Sequence, residues 1–181
     1  MVVTGGWDRI MKIYDTRVGK PVAQILGPMV CGDSIDIHGD QIIAGSNRHK
    51  EPLATYSISM QKVMTEISFD PPNTSFPESG YCLAARLSKD KDHSLIFAGG
   101  AGRNELRVFD NDTDGSGRYR ELANLNNNQG VIMCIDTAPN GRAVAWGNHL
   151  GHIFVSSFDL NESEEPDLRT IAGRVSNKRS K

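Results

Sequence analysis

A strand that ends in glycine recurs four times along the chain, at Gly5, Gly45, Gly99 and Gly147, with intervals of 40 to 54 residues. Each glycine follows a short apolar run and precedes a polar turn and a second apolar run. In these second runs apolar residues tend to alternate with a period of two, which indicates half-buried strands. Repeats of this length are typical of propellers and solenoids, in which each unit packs on its neighbours. The periodicity therefore predicts a repeat protein.

Strand signals dominate the chain, and helix signals are nearly absent. Each unit reads as four antiparallel strands separated by turns, and we name the strands a to d from the innermost outward. This is the composition of a propeller blade, so the predicted fold is all-β, with four-stranded antiparallel blades. The predicted innermost strands are Val30–Ile37, Tyr81–Leu87 and Val131–Ala138. The propeller segment spans 1–159, with units at about 2–27 (partial), 30–69, 80–126 and 130–159 (partial). Residues 160–181 are expected to be a polar disordered tail, in which Thr170–Val175 is the one piece that could add a strand.

The opening unit carries the fullest motif: Thr4-Gly5-Gly6, then Asp8 in a turn, then Met11 and Ile13, then Tyr14-Asp15. This pattern resembles the WD-repeat β-propeller family, whose signature is Ser-Gly-Ser, a turn bearing Asp, alternating apolar residues and Trp-Asp. The resemblance covers roughly residues 2 to 159 and implies a WD-repeat-like propeller. The other three units match through Ala44-Gly45-Ser46 with Leu53 and Tyr56, Ala98-Gly99-Gly100 with Leu106, Val108 and Phe109-Asp110, and Trp146-Gly147-Asn148 with Ile153 and Val155.

Two features depart from the family pattern. The Gly-His pair that precedes the family's innermost strand is missing in every unit, so the buried tetrad of His, Ser/Thr, Asp and Trp is never complete. The chain also opens on strand b of its first unit and ends on strand c of its fourth, whereas closed rings of the family have about seven blades. We therefore expect an open arc or incomplete ring: a segment of a longer propeller, a truncated gene model, or part of a ring that a second chain completes.

Bulk properties favour an intracellular protein of ordinary charge. The net charge is −2, which gives no global attraction to nucleic acid or to an anionic membrane. No apolar run approaches the roughly 18 residues of a membrane span, and the first residues do not have the pattern of a signal peptide. Cys31, Cys82 and Cys134 lie far apart in apolar runs, which predicts reduced thiols in the core. We expect a cytoplasmic or nuclear location.

Motifs for chemistry are absent from the sequence. No Gly-x-Ser-x-Gly leads from a strand into a helix, and the glycine-rich Gly99–Gly102 leads into a strand rather than into a phosphate-binding helix. The cysteines form no Cys-x-x-Cys pair, and no histidine lies at ligand spacing from them. The sequence thus predicts no catalytic, cofactor or metal site.

Two sets of residues are candidates for binding. In the WD-repeat family, the turns between strands b and c lie on one face that commonly binds peptides. These turns hold Trp7, Asp8, Arg9, Arg48, His49, Arg103 and His149. The second set, Asp36, Arg86 and Asp136, occupies equivalent places on the innermost strands, where the charges either form structural ion pairs or line the mouth of a channel.

The expected function is a non-enzymatic scaffold for protein–protein interaction, a subunit or adaptor of a larger complex. Its partners would be proteins or peptides, including a second copy of the chain or another chain that completes the ring. The alternative is a module that binds a modified peptide or nucleic acid through its basic turns and tail. A third hypothesis, an enzymatic propeller, requires Asp36, Arg86 or Asp136 to converge on one pocket.

Overall fold

The computed structural model describes residues 1–48, 51–69, 80–111, 119–126, 128–141 and 143–157, and the backbone of residues 174 and 175. In this part of the chain every regular element is a β-strand, and the strands form four antiparallel sheets, numbered here in chain order. The first sheet holds β1 (Val2–Thr4), β2 (Ile10–Tyr14) and β3 (Pro21–Leu26), and the second holds β4 (Ile35–His38), β5 (Gln41–Gly45), β6 (Leu53–Ser57) and β7 (Lys62–Ile67). The third sheet holds β8 (Tyr81–Leu87), β9 (Leu95–Ala101), β10 (Leu106–Asp110) and β11 (Glu121–Leu125). The fourth sheet holds β12 (Ile132–Thr137), β13 (Ala143–Asn148), β14 (Ile153–Ser157) and β15 (Arg174–Val175).

Consecutive strands pair within each sheet, as the sequence predicts for propeller blades. The turns between strands b and c therefore leave one end of each sheet, which we call the b–c end, and the turns between a and b leave the other, the a–b end. The glycines that mark the repeat occupy matching registers. Gly45 pairs with Leu53, Gly99 with Leu106 and Gly147 with Ile153.

Three apolar clusters join the sheets face to face in chain order. Met11 and Tyr56 belong to the cluster between the first and second sheets, and Ile43 and Ile96 to the one between the second and third. The third and fourth sheets share a cluster that contains Phe97, Ile132 and Trp146. Each fully buried aliphatic or aromatic side chain contributes about 1.5–3 kcal/mol of hydrophobic free energy. The result is an open arc of β-propeller blades, which confirms the predicted fold class.

The innermost strand of the second sheet is shorter than predicted. The expected strand was Val30–Ile37, but β4 covers only Ile35–His38. Gly32 has φ +81°, and a Cβ at this position would lie 2.5 Å from the carbonyl oxygen of Leu83. The chain therefore turns at Gly32, passing close to the third sheet, and only then enters the strand. A single parallel bridge between Asp33 and Ala84 shows that the chain entering β4 runs in the same direction as β8.

The fourth unit has a fourth strand, because Arg174–Val175 pairs with Phe154 and Val155 of β14. This short strand lies within Thr170–Val175, the piece of the expected tail that could add a strand, and the rest of the tail is outside the described residues. One further expectation is corrected. The cysteines also differ from the prediction, since only Cys82 is a core residue, while Cys31 is half-buried and Cys134 exposed. Cys134 is exposed because no sheet covers its side of the fourth sheet in the described part of the chain.

Candidate protein-binding site

The first b–c turn projects Trp7 away from the sheet, with 66% of its surface exposed. Asp8 and Arg9 are also exposed. The Asp8 carboxylate accepts a hydrogen bond of 3.2 Å from the backbone N–H of Ile10, which stabilises the tight turn, and Arg9 adopts φ 62°. These three side chains lie where the sequence placed them, at the tip of a hairpin.

The remaining b–c turn residues are more closely tied to their own sheets. Arg48 donates to the hydroxyl of Ser46 at 3.1 Å and lies 3.7 Å from the Glu66 carboxylate, so its charge is partly neutralised. Arg103 is half-buried in its turn. His49 lies outside the described residues.

His149 has a structural partner, although the residue is exposed. The Nδ1 atom of its imidazole accepts a hydrogen bond of 3.0 Å from the backbone N–H of Val131, and the backbone N–H of His149 donates to the carbonyl of Val131 at 2.9 Å. The imidazole thus ties the last b–c turn to the segment that leads into β12. The six described candidates from these turns are spread over four sheets, and neither of the two cavities described below contains any of them.

Arg86 connects the inner strands of the second and third sheets. Its guanidinium forms a salt bridge with the Asp33 carboxylate and donates to the carbonyl of Ile35 at 3.0 Å. Asp36 makes the reciprocal connection, because its carboxylate accepts hydrogen bonds from the backbone N–H of Leu87 at 3.0 Å and of Ile37 at 2.9 Å. Both charges are therefore satisfied by the neighbouring strand.

Asp136 plays the same part between the third and fourth sheets. The Lys89 ammonium lies 2.5 Å from its carboxylate, and this contact holds the pKa of Asp136 below the ordinary value of 3.8. The three inner-strand charges thus pair with different partners rather than with one another. The sequence did not identify Asp33 and Lys89 as partners, because Asp33 precedes β4 and Lys89 follows β8, so neither lies on an inner strand.

Arg86 and Asp136 nevertheless line one shared groove. It has a volume of about 380 Å³, and Asp33, Cys134 and Ile153 also contribute to it, whereas Asp36 does not. The groove opens on the face of the fourth sheet that points away from the third.

That outward face, which we call the open face, is apolar. Cross-strand partners on neighbouring strands point to the same side of a sheet. One such row is Cys134, Gly147 and Ile153, and the next is Asp136, Ala145 and Val155. Ile153 is 65% exposed and Val155 51% exposed, so two β-branched aliphatic side chains lie side by side in solvent.

The equivalent residues of the preceding sheets are completely covered. Leu53 and Leu106 pair with the repeat glycines Gly45 and Gly99, as Ile153 pairs with Gly147, yet both leucines are 0% exposed. The next sheet covers them and also fills the space beside each glycine. A Cβ on Gly45 would lie 2.6 Å from Cys82 Sγ, and one on Gly99 would lie 2.9 Å from Ile132 Cδ1. At Gly147 the nearest atom is Cys134 Sγ of its own sheet, at 3.0 Å. The open face therefore has the surface that elsewhere receives another sheet.

Among the described residues, no three His, Cys, Asp or Glu side chains are grouped so that they could hold a metal ion. Nor do these residues include a helix that is long and apolar enough to cross a membrane. What the described arrangement offers is surface for binding: exposed turns at one end of the sheets, a charged groove, and an apolar sheet face beside it.

Four antiparallel sheets, packed face to face in chain order, define the chain as a β-propeller segment. No protein-family model and no curated protein sequence matches it. The fold is similar to that of a chain in the crystal structure of a mitotic checkpoint complex, with a TM-score of 0.67 and 10% sequence identity. The match covers 83% of this chain but only 43% of the other. That chain is one of 487 in solved structures with significant similarity, so the likeness identifies the fold alone.

Proposed function

We propose that this chain is a non-enzymatic protein-interaction scaffold, a propeller subunit of a larger complex, and that a partner docks on the open face. The observation that carries the proposal is the contrast between Ile153, 65% exposed, and its equivalents Leu53 and Leu106, 0% exposed. In the second and third sheets, the equivalent face, with a leucine opposite the repeat glycine, is covered by the next β-sheet of the chain. A fold neighbour that belongs to a multi-protein complex is consistent with the same role.

A second copy of the chain is the partner that we propose first. Its first sheet offers an outward face on which Val2 pairs with Tyr14 and Ile10 with Leu26. Contact of this face with the open face of another copy is heterologous, and two such contacts can close a ring of two arcs. A different chain that carries a propeller sheet would use the same surface.

Replacing Ile153 tests the proposal, because an aspartate in the centre of the open face would have to be buried without a partner. Sedimentation velocity of the wild type is expected to show a dimer, and Ile153→Asp a monomer. Val63→Asp is the matched control, since Val63 is an exposed aliphatic residue of the second sheet's outermost strand. If the wild type sediments as a monomer, affinity purification from a cell extract with the same three proteins tests for another chain. Recovery of the same proteins with wild type and Ile153→Asp would refute docking at this face.

The alternative, binding of an anionic ligand through the basic turns, predicts an affinity that falls steeply with salt. Arg48 already contacts Glu66, which weakens this alternative at the second turn. We propose a cytoplasmic or nuclear location, which is consistent with three cysteines that are all free thiols. Imaging of the tagged chain in cells would test the location.

A further inference from the structure

A second cavity lies between the second and third sheets at the a–b end, opposite the b–c turns. It is a cleft of about 440 Å³, within the usual range of ligand sites, about 300–1,000 Å³. Because it lies between two internal sheets, it is separate from the open face, and its role does not depend on the function proposed above. The lining includes histidine, tyrosine and methionine side chains and two aspartates: His38, His93, Tyr119, Met60, Met64, Asp40 and Asp92.

An amide pair holds the cleft together. Gln41 Nε2 donates to Asn111 Oδ1 at 2.9 Å, and Asn111 Nδ2 donates back to Gln41 Oε1 at 3.1 Å. Asn111 also donates to the carbonyl of His93 at 2.8 Å and is itself buried. These bonds join the second sheet to the third, so the spacing of the two walls is set before any ligand binds.

Flat side chains form the walls. The rings of His38 and His93 have centroids 3.6 Å apart and planes inclined by 31°. His93 Nδ1 lies 2.6 Å from the carbonyl oxygen of Ser88, and because a carbonyl can only accept, this nitrogen carries the proton. Tyr119 is fixed from the other direction, since its hydroxyl donates to Thr55 Oγ1 at 3.2 Å. The exposed thioethers of Met60 and Met64 add flexible apolar surface.

The charged side chains among the described lining residues are the carboxylates of Asp40 and Asp92. Ser57 Oγ donates to Asp40 at 2.5 Å, and this bond holds the pKa of Asp40 below its ordinary value. Asp92 is exposed at the rim, where no described residue hydrogen bonds to its carboxylate. The described lining residues include no lysine or arginine. The cleft thus combines aromatic faces with uncompensated carboxylates, and a planar cation complements both.

We propose that this cleft binds an arginine side chain presented by a partner protein. The guanidinium lies against the rings of His38 and Tyr119 and donates to the carboxylate of Asp92, while the methylene groups pack on Met60 and Met64. A lysine ammonium has the charge but lacks the planar face, and citrulline has the shape but lacks the charge. Comparing arginine with lysine therefore tests the planar face, and comparing it with citrulline tests the positive charge.

The test is an NMR titration of the isotope-labelled full chain with N-acetyl-arginine amide, N-acetyl-citrulline amide and N-acetyl-lysine amide at pH 7. For a ligand this small we expect a Kd that is roughly millimolar. The ring signals of His38 and His93 should shift saturably with the arginine compound, and at least about threefold more ligand should be needed with the lysine or citrulline compound. A response to citrulline or lysine equal to that of arginine, or shifts that do not saturate, would overturn the assignment.

Two variants locate the site on the protein. Asp92→Asn should weaken binding of the arginine compound at least about threefold, and Asp15→Asn, the matched change at a carboxylate that pairs with Arg17 in the first sheet, should leave it unchanged. Tyr119→Leu removes the ring face and should weaken binding in the same way. Unchanged binding in both Asp92→Asn and Tyr119→Leu, with spectra that show a folded protein, would place the arginine elsewhere.

Discussion

Replacing Trp146 by phenylalanine tests how much a buried hydrogen-bond network stabilises this propeller segment. Trp146 Nε1 donates a hydrogen bond of 2.8 Å to the side-chain oxygen of Asn128. Asn128 is only 2% exposed, and its backbone carbonyl accepts a hydrogen bond of 2.7 Å from the side-chain amide of Asn148. Asn128 Nδ2 also donates to the carbonyl of Asn104, in the b–c turn of the third sheet, at 2.8 Å. We infer that this network is a buried polar connection between the last b–c turns of the third and fourth sheets.

The expected cost follows from these contacts. Phenylalanine keeps most of the stacking on Phe154, whose ring centroid lies 5.5 Å from that of Trp146, but it leaves Asn128 Oδ1 buried without a donor. A buried unsatisfied acceptor costs about 1–3 kcal/mol, and the volume lost on replacing indole by phenyl adds ~1 kcal/mol. Trp146→Phe should therefore lower the free energy of unfolding by about 2–4 kcal/mol. Each kcal/mol corresponds to a fall in Tm of about 2–4 °C for a chain of this size.

Urea unfolding followed by far-UV circular dichroism measures the loss, with Trp7→Phe as the control because Trp7 is exposed. The decisive comparison repeats Trp146→Phe in an Asn128→Ala background, where the acceptor is absent. The cost should then fall by about 1–2 kcal/mol, the coupling expected for a direct contact. A cost of Trp146→Phe below ~0.5 kcal/mol, or the same cost in both backgrounds, would refute the role of this hydrogen bond.

Three further outcomes are expected. Gly99→Ala should destabilise the fold by about 1–3 kcal/mol in urea unfolding because the new Cβ would meet Ile132. In the Ile153→Asp background, where no second chain covers the open face, Gly147→Ala should cost less than ~1 kcal/mol; equal costs would contradict the packing argument. Asp40 has a folded pKa below its ordinary value of 3.8, so its contribution to stability is complete above about pH 5 and is lost as pH falls. Asp40→Asn should therefore reduce the difference between the unfolding free energies measured at about pH 5 and at about pH 3, and an unchanged difference would contradict this role of Asp40. Burial raises the pKa of Cys82 to about 12, so in the Ile153→Asp protein, whose open face is uncovered, a thiol reagent at pH 8 should label Cys134 in the folded state and Cys82 only after unfolding, which mass spectrometry of the labelled peptides would check.

The blade architecture could be predicted from the sequence because it depends on local patterns. Period-two alternation and glycine-rich turns are visible within each unit, and residues such as Met11 and Ile13 lie on the buried side as expected. The start of β4 could not be predicted in the same way. Val30 and Cys31 have the apolar character of a strand, but the close approach of Gly32 to the third sheet is a contact with Leu83, about 50 residues away.

The candidate binding surfaces were predictable to different degrees. Trp7 could be placed at an exposed hairpin tip because the turn is local. The cleft proposed to bind arginine could not be found, since its amide pair joins Gln41 to Asn111 across 70 residues, and its two histidines, His38 at the end of β4 and His93 in the turn before β9, come from different sheets. The open face lies between these cases. Its motif residues were recognised as Ile153 and Val155, but their exposure depends on which sheet covers them, and this cannot be read from one unit.

The two proposed surfaces lead to a test of the scaffold as a whole. The open face belongs to the fourth sheet, and the arginine cleft lies between the second and third, so no residue is shared between them. Changes at separate sites without common partners are expected to act additively. Ile153→Asp should therefore abolish docking on the fourth sheet and leave the titration with N-acetyl-arginine amide unchanged, and Asp92→Asn should do the reverse. If either variant altered both docking on the open face and binding of N-acetyl-arginine amide, the two surfaces would be coupled through the third sheet. The chain would then be a scaffold with two linked binding sites rather than two independent ones.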